Sequence, residues 1–136
     1  MKKISEYLTD EHEIKCFSGQ KVKNPTLIYE DTSYNILIYT CDKIKGQGNP
    51  IGKCAWRSFD INGKRYQAIF VFIKRNLSER EMLDVFFHEM IHLTANLFRG
   101  NYAFGDVDKE EMFAAIYGRT TANIFLKVID KLKNHV

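Results

Sequence analysis

Residues 78–98, SEREMLDVFFHEMIHLTANLF, constrain this chain more than any other stretch. His88, Glu89 and His92 stand there in the order HExxH. On an α-helix, residues four apart lie on one face about one turn apart, so both imidazoles can point at one ion. Two histidines and a carboxylate around zinc leave a fourth position for water, and Glu89, beside the first histidine, can take that water's proton. The motif therefore predicts a small zinc peptidase with His88 and His92 as ligands and Glu89 as general base.

The helix itself is argued from other residues. Ser78 followed by Glu81 is a capping-box pattern, and no Gly or Pro interrupts the chain before Gly100. Apolar residues occupy nearly every side, from Met82, Leu83 and Val85 to Leu97 and Phe98, which predicts a buried helix. Two histidines and a glutamate inside it carry a desolvation cost that metal coordination offsets. A single histidine on an apolar helix is more often a hydrogen-bonded core residue. A second histidine at the helical spacing and a downstream carboxylate shift the reading toward a metal.

A length of 136 residues suits one domain with one core, so the expectation is a single domain over 1–136. Hydrophobic residues at 45% and charged residues at 27% are close to globular averages. The net charge of +3 is spread along the chain, which is not a nucleic-acid signature. After the two N-terminal lysines the apolar run of a signal peptide is broken by Ser5, Glu6, Thr9 and Asp10, and no stretch approaches membrane-spanning length. A cytoplasmic protein is expected, with no membrane or nucleic-acid partner. Cys16, Cys41 and Cys54 are widely spaced without a CxxC and read as reduced, partly buried apolar residues.

In chain order, Ile4, Tyr7, Leu8 and Ile14 predict a short helix over residues 4–16, and residues 21–25 a loop ahead of Thr26. TLIYE and NILIYTC predict two strands separated by Asp31, Thr32 and Ser33. Residues 42–52 hold GQGNPIG, which fails as a phosphate loop because Gln47 stands in the place of the first glycine and Cys54 in that of Ser or Thr. Asn62-Gly63 between residues 56–61 and 64–74 predicts a tight hairpin. AIFVFI, residues 68–73, predicts a strand buried on both faces, followed closely by the motif helix packing on its sheet. After Gly105 a second helix is expected, with Asp108 as N-cap; Gly118 within it costs about 1 kcal/mol relative to alanine, which implies a close packing contact.

A catalytic zinc needs a third protein ligand, and the only later histidine, His135, is near the C-terminus. Glu111, in the first turns of the second helix, is the preferred carboxylate, with Glu110 the neighbouring alternative. The two differ by about 100° around a helix. Glu111 shares its face with Ala114, Ala115 and Gly118, which would allow close approach to the HExxH helix. The competing role for Glu111 is that of capping-box partner to Asp108.

HEMIH followed by Glu111, with residues 93–110 between, resembles the gluzincin pattern of zinc peptidases. NLSEREMLDVFFHEMIH, preceded by a hydrophobic strand and followed by EMFAAIYG, is similar to the small ImmA/IrrE-type peptidases of bacteria and their mobile elements. The resemblance covers about the C-terminal half of the chain. It implies a zincin-like α+β domain, in which a short mixed or antiparallel sheet packs on the HExxH helix and a C-terminal helix. It further implies Zn2+ held by His88, His92 and Glu111, Glu89 as base, and a peptide or protein substrate. Ile91 stands where that family commonly has glycine, and Ala115 where it has asparagine. Tyr102, Tyr117 and Arg119 are candidate oxyanion donors by type and proximity. The alternative function is a non-catalytic zincin-fold binding protein, with structural zinc or no metal, encoded by a mobile element.

Overall fold

A computed structural model of the chain describes residues 3–8, 22–98 and 105–135. Most of the expected N-terminal helix, Cys16 and Tyr102 lie outside the described residues, and the described part of that helix is a 3-10 turn at Ile4–Glu6. The architecture is α+β, and the chain divides into two compact units, Met1–Arg75 and Asn76–Val136.

The first unit holds β1 (Val22–Lys23), β2 (Thr26–Asp31), β3 (Ile36–Cys41), β4 (Lys43–Ile44), β5 (Gly52–Ile61) and β6 (Lys64–Lys74). Four of these form a mixed sheet in the order β2-β3-β6-β5. β2 runs antiparallel to β3, β5 antiparallel to β6, and β3 pairs in parallel with β6 from Ile36↔Ile69 to Cys41↔Lys74. Parallel pairing needs a crossover, and residues 42–63 supply it by way of β5. The Asn62-Gly63 turn has φ of 52° and 80° at its two residues, the left-handed pair that a two-residue hairpin of this twist requires.

Successive strand residues point to opposite faces, so the continuous burial of Ala68, Ile69, Phe70, Val71, Phe72 and Ile73 means that both faces of β6 are covered. The core of this unit lies on one of them, where Leu37, Tyr39 and Cys41 of β3 meet Ala68, Phe70 and Phe72 of β6 together with Ile4 and Ile44. Tyr39 stacks on Phe72 with ring centroids 5.5 Å apart. The Cys41 thiol is buried and faces the Ile73 carbonyl at 3.9 Å.

Two features differ from the sequence expectation. β5 begins at Gly52, before the expected Trp56, because its ladder with β6 continues as far as Gly52↔Ile73. β1 and β4, in stretches expected to be loops, form a two-stranded ladder. Arg75 ties their surroundings together: it donates to Asp42 Oδ1 at 2.6 Å, to the Asn24 carbonyl at 2.8 Å and to Thr40 Oγ1 at 3.3 Å. The Asp42 carboxyl is held below its ordinary pKa by hydrogen bonds from Asn24 and Arg75.

The second unit is a helix pair, α1 (Glu79–Phe98) and α2 (Val107–His135), packed on each other. The capping box is formed: the Glu81 amide donates to Ser78 Oγ at 3.2 Å and the Ser78 amide to Glu81 Oε1 at 3.3 Å. Burial of α1 is narrower than its apolar composition suggests. Val85, Glu89, Leu93 and Ala95 are buried, whereas Met82 and Leu97 near its ends are exposed. The cap of α2 is Asp106, not Asp108, since Asp106 Oδ1 accepts the Lys109 amide at 2.7 Å. Among the described residues, no helix is long and apolar enough to cross a membrane.

Candidate metal centre

The small residues of α2 set how close the two helices come. Ala114, Gly118 and Ala122, spaced by four, are all buried, while Ala115, expected on the same face, is exposed. A Cβ on Gly118 would sit 2.7 Å from the Asp84 carbonyl, 2.9 Å from Asp84 Oδ1 and 3.1 Å from the His88 amide. The missing side chain is thus needed at the turn of α1 that leads into the first histidine. Farther along the contact, Phe87 packs edge-on against Tyr117 and Phe125 at 6.4 and 5.9 Å.

This approach brings the start of α2 to the HExxH face. His88 Nε2 and His92 Nε2 lie 3.3 Å apart. Glu111 places Oε1 at 2.9 Å from His92 Nε2 and Oε2 at 3.5 Å from His88 Nε2. One donor atom from each of the three residues falls within 4.8 Å of the others, a group that could hold a metal ion. A tetrahedral zinc with bonds of about 2.0–2.1 Å spaces its ligand atoms by roughly 3.3 Å, and two imidazole nitrogens with a carboxylate oxygen are a donor set that zinc takes. The residues present fit the ion.

Glu110 and Glu111 divide between the two nitrogens of one ring. Glu110 Oε2 lies 2.5 Å from His92 Nδ1, the nitrogen on the far side of the imidazole from the cluster. The alternative ligand therefore has a different partner atom. The capping role considered for Glu111 is absent, because the cap comes from Asp106.

Glu89 is buried, at 5% exposure, and its Oε1 lies 4.0 Å from His88 Nε2. The His88 pKa is lowered from the usual histidine value, first by burial and then by the neighbouring His92, against the opposing pull of Glu111 and Asp84. A depressed pKa keeps the imidazole neutral and its lone pair available near pH 7.

Two of the oxyanion candidates lie within the described residues. Tyr117 has its ring stacked on Phe113 at 6.2 Å and edge-on to Phe87, and Arg119 is exposed. Asp84 was not anticipated as part of the site, and Glu110 was expected there only as the alternative metal ligand, not as the partner of His92 Nδ1. Asp84 stands one helical turn before His88, so the spacing that paired the two histidines was also its signal. Adjacency alone could not separate the roles of Glu110 and Glu111, since only folding shows which atom of His92 each glutamate meets.

In comparisons with protein-family models, with curated proteins and with solved structures, nothing matches this chain.

Proposed function

We propose that the protein is a zinc-dependent peptidase. The observation that carries this reading is the convergence of His88 Nε2, His92 Nε2 and the Glu111 carboxylate beside the buried Glu89. His88 and His92 of α1 and Glu111 of α2 would hold the ion. Zinc, when bound, supplies a polarised carbonyl and a water whose pKa falls to about 7. Glu89 accepts the proton from the attacking water on a carboxylate oxygen and returns it to the departing amine nitrogen. A site that only stabilises the fold needs ligands and no base, so Glu89 favours catalysis over a purely structural metal.

The substrate class is a peptide or protein. Resemblance of the HExxH-to-Glu111 segment to the ImmA/IrrE-type peptidases supports this, and the cytoplasm is the setting proposed with it. The test pairs metal content with cleavage of a mixed peptide library. Wild type should carry about one zinc per chain, and Glu89→Gln should keep that zinc while losing roughly 10²–10⁴-fold in rate, because an amide cannot accept the proton. Equal rates for the two proteins would remove Glu89 as base. Stoichiometric zinc with no cleavage by wild type would turn the reading into a zinc-binding module.

A further inference from the structure

We propose that Glu110 is a positioning residue for the metal site, fixing the ring and tautomer of His92 so that Nε2 presents its lone pair to the ion. The inference rests on the zinc reading above and assigns Glu110 a role distinct from that of its neighbour.

The geometry is specific to one atom on each side. Glu110 Oε2 is 2.5 Å from His92 Nδ1, while His92 Nε2 faces His88 Nε2 at 3.3 Å and Glu111 Oε1 at 2.9 Å. An ionised carboxylate only accepts, so the hydrogen of this bond belongs to Nδ1. In a neutral imidazole that leaves Nε2 without a hydrogen, the form a metal requires, and the 2.9 Å between Nε2 and Glu111 Oε1 is then the spacing of two ligand atoms around an ion and not a hydrogen bond. Both members of the bond are sheltered, with side-chain exposures of 14% for Glu110 and 12% for His92, whereas that of Glu111 is 56%. A charge-assisted hydrogen bond screened in this way holds a ring orientation better than one open to water.

Consecutive glutamates thus clasp one imidazole at its two nitrogens, one at the cluster and one behind it. A carboxylate behind a ligating histidine raises ligand basicity and removes the rotational freedom that binding would otherwise have to freeze, and its loss costs about 10–100-fold in metal affinity. The two histidines are supported differently. His88 has Asp84 one turn away as an electrostatic neighbour, and among the described residues no contact places a carboxylate behind its ring as Glu110 is placed behind that of His92.

The test uses the full chain, zinc affinity by competition with a chelator, and long-range proton–nitrogen NMR of the histidine rings, for wild type, Glu110→Ala, Glu110→Gln and Glu111→Ala. Expected for Glu110→Ala is one zinc per chain with affinity lower by about 10–100-fold and loss of the sheltered Nδ1–H signal of His92. Glu110→Gln, whose amide oxygen still accepts from Nδ1–H, should recover most of the affinity and the signal, which a general packing role for the side chain would not predict for the NMR signature. Glu111→Ala should lose more affinity than either. Affinity for Glu110→Ala within roughly twofold of wild type, far less than such a carboxylate contributes, would overturn the positioning role and leave the zinc reading intact. Retention of tight binding by Glu111→Ala with its loss in Glu110→Ala would overturn it too, by making Glu110 the ligand. Failure of wild type to bind zinc at all would remove the zinc reading itself.

Discussion

At the scale of single residues, the centre depends on the protonation of His88. Its pKa is lower in the fold than the ordinary value near 6.5, chiefly through burial. The folded protein therefore binds fewer protons at this site than the unfolded chain once pH falls below about 6.5, so the His88 contribution makes stability decline as pH drops through that value toward the folded pKa. Metal binding also needs the neutral ring. Zinc affinity should be level from about pH 8 through the ordinary histidine value near 6.5 and should fall only as pH drops further, toward the lowered pKa of His88, as measured by chelator competition at each pH. A His88→Ala variant that binds zinc as tightly as wild type at about pH 7 would take His88 out of the ligand set.

At the scale of elements, two helices carry the site and Gly118 sets their spacing. Capping-box residues and the absence of Gly and Pro made α1 legible from sequence, and helical spacing with one glycine made α2 legible. The reason for that glycine emerged only from packing, since a Cβ there would press on the Asp84 carbonyl at 2.7 Å and on the His88 amide. Backbone atoms cannot swing aside as a flexible side chain can. Gly118→Ala should therefore destabilise the fold by about 1–3 kcal/mol in chemical denaturation, even though alanine is the better helix former, and should weaken zinc binding as α2 is displaced from His88. A variant as stable as wild type, or more so, would show that α2 does not need this approach.

At the scale of the whole chain, the three proposed ligands come from both helices of one compact unit, so an ion bound there would tie residues 79–98 to the first turns of α2. Binding to the folded state alone stabilises it by about 2.7 kcal/mol at a ligand concentration of 100 times the dissociation constant. Hydrogen exchange followed by mass spectrometry should slow on zinc addition in peptides covering α1 and the start of α2, and return to its original rate with chelator. Unchanged exchange in both helices at saturating zinc would contradict this set of ligands.

What the sequence determined by itself follows from short-range rules. The Asn-Gly hairpin, the continuously buried strand of residues 68–73, the Ser78–Glu81 capping box and the HExxH spacing each rest on residues close together in the chain, whose geometry is set by backbone sterics and helical or strand period. The β1–β4 ladder was not legible, because two residues show no period and its surroundings are held by Arg75 reaching across to Asn24, Thr40 and Asp42. The cap at Asp106 was missed for a related reason: Asp108, with Glu111 three residues on, fits the capping-box pattern and Asp106, with Lys109 in that place, does not, yet the folded backbone brings the Lys109 amide to Asp106. Tertiary structure likewise decided how Glu110 and Glu111 divide the two nitrogens of His92. Their sequence positions differ by one, but α2 comes against α1 at Gly118, which lies on the Asp84 carbonyl and the His88 amide, and the way the two helices pack determines the atom each carboxylate reaches.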